Sequence, residues 1–363
     1  MQPASSAIVA QPVTDRPAIE DALAVGIRDY QQTLVRAPLG GIALCAALGG
    51  VLYLLGITPV AWVAALGGAA LLLVLQVVLV IWLVPQNRAA KELMTAQAWR
   101  QVHAEVLGLD GRHFVVEAEG RRLRVQEMGG RVAHLVVRHT GRLWLVGPDE
   151  AGLVLARIEG PGTPLFGKVT TETGAPVTPE PEQADGTAAA DPVSVAWAGV
   201  LARAINYRIW PDVAAFVLVV LVMLGFLLVQ GISTGSVVAS VLMVAIAVPL
   251  CLRRHLKARR RFRPWTRLPE LLHAGPWQPV GITLVPAQLG PLGGNAHGVI
   301  RLASGVDLPI QLPDAGLDLV GNIQAMGGLW VAGDPVPGKV FAVGYPGYPI
   351  LGLATFNPGM TQL

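Results

Sequence analysis

Leu39-Gly-Gly-Ile-Ala-Leu-Cys-Ala-Ala-Leu-Gly-Gly-Val-Leu-Tyr-Leu-Leu-Gly-Ile57 runs through a Thr58-Pro59 turn into Val60-Ala-Trp-Val-Ala-Ala-Leu-Gly-Gly-Ala-Ala-Leu-Leu-Leu-Val-Leu-Gln-Val-Val-Leu-Val-Ile-Trp-Leu-Val84. Neither run holds a charged residue. As helices rising about 1.5 Å per residue, runs of this length match a hydrocarbon layer about 30 Å thick. The stretch 38–85 therefore predicts a transmembrane helical hairpin, and a second apolar stretch within 212–252 predicts another. The expected fold class is a multi-pass α-helical membrane protein with β modules: four transmembrane helices in two hairpins, each followed by a small cytoplasmic β-meander or barrel-like domain in tandem repeat.

Apolar residues make up 53% of the 363 and charged residues only 14%, more oil than a soluble core requires. Lys91, Lys168, Lys257 and Lys339 are the only lysines among 27 basic residues, an arginine bias that points to a GC-rich bacterial genome. Cys45 and Cys251, the only two cysteines, fall inside the expected spans, which excludes a disulfide framework or a cysteine metal site. Residues 1–17 lack the basic flank and apolar run of a cleavable signal, so insertion is assigned to the spans themselves. The loops at Thr58-Pro59 and Gly231 to Gly235 are uncharged, whereas Arg28, Arg36, Arg88, Lys91, Arg203 and Arg208 flank the opposite ends. The positive-inside rule then places both termini on the cytoplasmic side of a bacterial cytoplasmic membrane.

The rest divides by composition and period. Residues 1–14 read as a disordered N-terminus. Residues 15–37 read as an amphipathic helix opened by Asp15 and Pro17, with Ile19, Leu23, Ile27, Tyr30 and Leu34 on one stripe. A juxtamembrane helix at 86–98 leads to a first β domain at 99–168 and a linker at 169–192 rich in Thr, Pro, Glu, Ala and Gly. A second amphipathic helix at 193–211 precedes the second hairpin, a basic juxtamembrane segment at 253–269 and a second β domain at 270–363.

Asp110-Gly111, Glu119-Gly120 and Gly129-Gly130 punctuate period-two runs at Arg112 to Ala118, Arg121 to Glu127, Val132 to Arg138, Leu143 to Val146 and Leu153 to Ile158. About six strands result, enough for a small barrel or a sheet packed on a helix. Counting outward from the first two turns sets Leu107 opposite Phe114, and Phe114 opposite Val125. Trp99, Val102, Gly141-Arg-Leu-Trp-Leu-Val-Gly147 and Gly160-Pro-Gly-Thr-Pro-Leu-Phe-Gly167 recur in order as Trp277, Val280, Gly327-Gly-Leu-Trp-Val-Ala-Gly333 and Gly344-Tyr-Pro-Gly-Tyr-Pro-Ile-Leu-Gly352. That order marks a duplication.

Arg253, Arg254, Lys257, Arg259, Arg260, Arg261, Arg263 and Arg267 form a basic run without an acid, fitted to lipid headgroups of an anionic inner leaflet. Nucleic acid, for which Phe262 and Trp265 would serve, is disfavoured because topology and headgroup contact already account for the run. Gly41, Cys45, Gly49, Gly67 and Gly68 are small residues that allow close helix packing.

Gly333-Asp-Pro-Val-Pro-Gly-Lys339-Val340 nearly spells a phosphate loop. However, Val340 stands where Ser or Thr should hold magnesium, two prolines delete donors, and Val340 to Val343 reads as a strand. Gly290 to Gly298 lacks dinucleotide spacing. His134 and His139 fall on opposite faces of one expected strand. Asp149-Glu150 and Asp314 to Asp318 read as turns without a nucleophile or His partner. No catalytic residue, cofactor or metal site is expected. The spans carry no ionisable group, only Gln76 and Gln230, which argues against a coupled transporter.

The expectation is a non-enzymatic scaffold presenting two cytoplasmic β modules for protein interaction or self-assembly, with lipid, an unidentified protein and further copies of itself as partners. The alternative is an oligomeric channel or transport subunit. In outline alone, the expected architecture resembles bacterial membrane proteins that carry a small cytoplasmic β-barrel on a helical hairpin, such as NfeD-like proteins and mechanosensitive channels of small conductance. No motif is shared with them, so no activity is carried over.

Overall fold

Alternation builds the first β module. Val102 and Ala104 are buried between exposed Gln101, His103 and Glu105, and Leu123 and Val125 are buried beside Arg122 and Gln126, so one face of each strand turns inward. The computed structural model describes residues 8–21, 85–127, 132–176, 191–203, 262–285, 294–336 and 338–356, with isolated positions between 73 and 77 and between 249 and 260. The chain divides into two units, 1–30 with 88–202 and 264–363, and 31–87 with 203–263; the first unit holds both barrels.

Six strands, β1 (Arg100–Asp110), β2 (His113–Ala118), β3 (Arg121–Gln126), β4 (Arg142–Val146), β5 (Leu153–Arg157) and β6 (Leu165–Thr170), close into a barrel in the order β1-β2-β3-β6-β5-β4. Six more repeat the pattern: β7 (Trp277–Leu284), β8 (Gly294–Arg301), β9 (Asp307–Ala315), β10 (Gly328–Ala332), β11 (Val340–Gly344) and β12 (Leu351–Phe356), ordered β7-β8-β9-β12-β11-β10. Closure removes the open edges that a meander would leave. Each barrel has one helix between its third and fourth strands, Ala133–Thr140 in the first and Leu317–Met326 in the second. Both helices stop at a left-handed glycine, Gly141 (φ 62°) and Gly327 (φ 63°), whose N–H bonds back to Val137 and Ile323.

The register fixes which residues of the two copies correspond. Trp144 lies opposite Gln101 and Arg157, and Trp330 lies opposite Pro279 and Gly344. Arg157 therefore corresponds to Gly344, and the loops that follow, 158–164 and 345–350, run on from these matched positions. Gly160 matches Gly347, both left-handed (φ 96° and 82°), rather than Gly344 as the motif order alone implied.

The expected multi-pass α-helical fold class is corrected. The described chain is mostly β in two closed six-stranded barrels, and among the described residues no helix is long and apolar enough to cross a membrane. Their apolar side chains follow the strand period and fill closed interiors, so unbroken apolar helix is not what organises them. Tandem β modules are compatible with this fold. The expected hairpins at 38–85 and 212–252 lie outside the described residues, apart from the isolated helical positions and Pro85.

Smaller expectations also change. Leu109, not Leu107, faces Phe114, because the first turn is Gly111-Arg112 and Leu107 is extruded as a bulge between Val106 and Gly108. Phe114 does face Val125. Val132 to Arg138 is not a strand, since it lies almost wholly in the helix Ala133–Thr140. The Glu127 carboxylate accepts the N–H of Ala133 (2.5 Å) and His134 (3.4 Å), so a side chain from six residues upstream caps that helix. The sixth strand is instead Leu165–Thr170, which takes up Val169 and Thr170 from the expected linker. Beyond it Ala175 bridges back to Leu109, and 177–190 lies outside the described residues. Asp15 and Pro17 precede only a single 3-10 turn, Ala18–Glu20, with 22–37 outside the described residues.

Candidate functional site

Beyond Arg157, β5 enters the loop 158–164, and its left-handed glycine brings the first barrel against the second. A Cβ on Gly160 would lie 2.9 Å from Ile350 Cδ1 and 3.2 Å from Tyr348 Cδ1. Asn322, on the second barrel's helix, donates from Nδ2 to the Gly160 carbonyl (3.1 Å), and Gly162 N–H donates to Asp318 Oδ1 (2.7 Å). In the reciprocal contact, Gly347 of the second barrel sits beside His139 on the first barrel's helix, its Cβ position 3.5 Å from Nε2. Each barrel thus rests its last long loop on the helix of the other, as the two partners of an isologous dimer do. One apolar cluster includes the interior residues of both, with Val125, Val137, Ile323 and Val343 among them.

The chemistry is unequal at the two ends. Aligned on Gly141 and Gly327, Asp318 and Asn322 correspond to Val132 and Val136, and Arg157 corresponds to Gly344, so these three polar groups have no polar counterpart at the opposite end. Arg157 is fully buried, donates from Nε to the Pro161 carbonyl (2.8 Å), and pairs through Nη1 with the Asp21 carboxylate. Burial pulls its guanidinium below the ordinary value, against the attraction of Asp21 and Asp318. Burial pushes the Asp318 carboxyl up, opposed by the Gly162 hydrogen bond and by Arg157.

At the other end, buried Glu159 lies 4.0 Å from Arg142. Burial and then Glu159 push the Tyr348 hydroxyl up to about 12, with Arg142 opposing. Tyr345 donates its hydroxyl to the Gly328 carbonyl (2.6 Å).

An N-terminal strap crosses this joint. Val9 is fully buried in the shared cluster, and Ala10 N–H donates to Asn322 Oδ1 (2.8 Å). Farther along, Ala18 N–H bonds the Gln97 carbonyl (2.9 Å) before Asp21 reaches Arg157. Asn322 therefore joins three pieces of chain, the strap, the first barrel's loop and its own helix, where its Nδ2 also meets the Asp318 carbonyl.

A pH dependence follows from Asp318. Because its native pKa is raised, the folded protein holds a proton that the unfolded chain releases first. The Asp318 contribution to stability is expected to fall as pH rises from the ordinary carboxylate value of 3.8 through the raised native one. Urea unfolding across that range checks this, and Asp318→Asn should remove its share of the slope.

The motifs singled out in the sequence fall into structural roles. Gly333 (φ 71°) and Gly338 (φ 75°) form the β10–β11 connection, and Lys339 directly precedes a strand, as the phosphate-loop counterargument requires. Gly294 to Gly298 lies in β8, with 286–293 outside the described residues. His134 and His139 share a helix rather than a strand; His134 Nδ1 meets Glu127 Oε2 at 3.0 Å, and His139 is exposed at the joint. Asp149 Oδ1 accepts the N–H of Ala151 and Leu153, a turn closure. Asp314, next to last in β9, is in a left-handed conformation, whereas Asp318 belongs to the joint.

Arg253, Lys257, Arg260 and Arg263 are exposed on helical backbone, and Arg267 is exposed 3.5 Å from Glu270. Arg254, Arg259 and Arg261, and the helix-packing residues Gly41, Cys45, Gly49, Gly67 and Gly68, lie outside the described residues. Among the described residues no group of three or more His, Cys, Asp or Glu is set to hold a metal.

Fold and joint together define a duplicated, pseudo-symmetric double barrel. Comparison with protein-family models, with curated proteins and with solved structures finds no match to this chain.

Sequence reasoning missed Asp21, Arg157, Asn322 and Val9. Two signals were present: an arginine closing the apolar strand Leu-Val-Leu-Ala-Arg157, and an asparagine inside Leu-Asp-Leu-Val-Gly-Asn322-Ile. A charge or amide set in an apolar run needs a buried partner.

Proposed function

We propose that this protein is a non-enzymatic scaffold whose fused barrels present a binding surface on the outer face of β7, β8 and β9. The observation that carries this reading is a row of residues across that face. In the first barrel the row is Glu105, Glu117 and Arg122, all exposed and directly opposite one another. In the second barrel the corresponding positions are Thr283, Val299 and Pro309, with Val299 39% exposed and Val285 nearby at 47%. The two rows hold the same place in the two copies, and the second carries no charge; the next row along ends in the exposed Arg301–Asp307 ion pair, and an apolar row beside polar groups suits a protein partner or another copy. A non-enzymatic role fits the titratable groups, since Glu127 and His134 serve a helix cap and Asp149 closes a turn. The exposed cations Arg253, Lys257, Arg260 and Arg263 suit an anionic phosphate-bearing partner such as lipid headgroups, at about 1 kcal/mol each.

The test compares the native chain with Val299→Lys by sedimentation and by affinity capture with stoichiometry measured. The native chain should associate, with itself or with a defined companion in constant ratio, and V299K should lose that association while keeping its melting temperature. Identical association by both forms would remove this face as the working surface.

A further inference from the structure

We propose that the cleft holding Ile8 to Pro12 is a peptide-binding groove, filled in this chain by its own N-terminal segment and suited to a partner protein's segment of the pattern β-branched, small, any, proline. This goes beyond the scaffold reading and concerns a different surface from Val299, so either can fail without the other.

The occupant defines the chemistry. Val9 is fully buried, Ala10 is 9% exposed, Pro12 is buried, and Gln11 between them is exposed. Buried side chains thus fill three of the four positions from Val9 to Pro12 while a hydrogen bond reads the main chain, as in the recognition of a short peptide. The reader is Asn322, whose Oδ1 accepts the Ala10 N–H, and its other bonds, to Gly160 and Asp318, hold the amide in that orientation.

Ala10 is 9% exposed and its N–H is held by the Asn322 amide, so a small side chain is expected at this position. No charged group of the segment is buried there, so the ligand should be uncharged at these positions. The segment is fastened separately downstream, at Ala18 on Gln97 and Asp21 on Arg157, across exposed Thr14, Asp15 and Arg16. Ile8 to Pro12 is therefore a tethered ligand at roughly millimolar effective concentration, which an outside segment must outcompete.

The experiment inserts a protease site between Thr14 and Asp15 of the full chain, which folds with the segment in place and is then cut. A fluorescent peptide of residues 7–14 is titrated against cut and uncut protein. Saturable binding to the cut chain is expected, weaker by at least about tenfold for a Val9→Asp peptide, the factor set by one buried valine side chain. Binding to the uncut chain should also be at least about tenfold weaker. Asn322→Ala in the cut protein should weaken binding similarly; the peptide variant carries the test if N322A does not fold. Absence of binding, binding indifferent to Val9→Asp, or dimers of the uncut chain that vanish on cutting would each overturn the proposal, the last by assigning the groove to exchange between copies.

Discussion

Arg157→Ala is expected to lower the unfolding free energy by about 3–5 kcal/mol, because it strands the carboxylates that a buried guanidinium now faces. Arg157 is fully buried, its partner Asp21 is 6% exposed, and Asp318 lies within its field. Removing the cation leaves Asp21 and Asp318 to be neutralised or hydrated inside the joint, and frees the Pro161 carbonyl that Nε now satisfies. Two comparisons separate the loss of charge balance from the loss of bulk. Arg157→Met combined with Asp21→Asn and Asp318→Asn keeps volume and removes every stranded charge, so most of the stability should return. Arg100→Ala, which breaks an ion pair with Glu119 whose side chains are 43% and 45% exposed and a hydrogen bond to the Gly147 carbonyl, should cost about 1–2 kcal/mol, clearly less than R157A. Urea midpoints at neutral pH decide the order; equal losses for R157A and R100A would mean that the joint is not closed around Arg157.

Local order was legible and long-range order was not. The period-two runs and the Glu119-Gly120 turn placed Phe114 against Val125, since both partners lie a few residues from a turn with left-handed φ at both positions, 52° and 71°. The preceding turn falls one residue later than Asp110-Gly111 suggests, so Phe114 meets Leu109 rather than Leu107, and the bulge beyond it leaves no mark in the local pattern. His134-Leu-Val-Val carries the β-branched residues of a strand, yet it is helical; the Glu127 cap and the Gly141 stop outweigh that propensity. The recurring Trp144 and Trp330 motifs were visible as a repeat because they sit at the same strand position, but their barrels could not be closed without knowing that β3 reaches β6. The joint was the least accessible part. Its salt bridge joins residues 136 apart in sequence, and the Ala10 to Asn322 bond joins residues 312 apart, separations that no local period records.

Position 344 sets the second prediction. It corresponds to Arg157, but where the first copy extends a guanidinium into the joint, the second leaves no room for a methyl. A Cβ on Gly344 would fall 2.2 Å from the Ile350 carbonyl oxygen and 2.7 Å from Leu351 Cδ2. That carbonyl accepts the Tyr345 N–H (3.0 Å) and so closes the loop that rests on the first barrel's helix. A flexible side chain could swing away, but a backbone oxygen held by a hydrogen bond cannot move without opening the loop. Gly344→Ala is therefore expected to cost about 3 kcal/mol, the upper end of ordinary overpacking. Gly281→Ala is the control, a strand glycine whose Cβ would meet nothing within 4 Å, and it should be neutral or stabilising by up to about 1 kcal/mol. A G344A urea midpoint matching that of G281A would show the loop to be placed otherwise. The contrast also explains why the copies no longer interchange. Arginine at 344 would collide with the second loop, and glycine at 157 would abandon Asp21 and Asp318, so each copy is now committed to its own end of the joint.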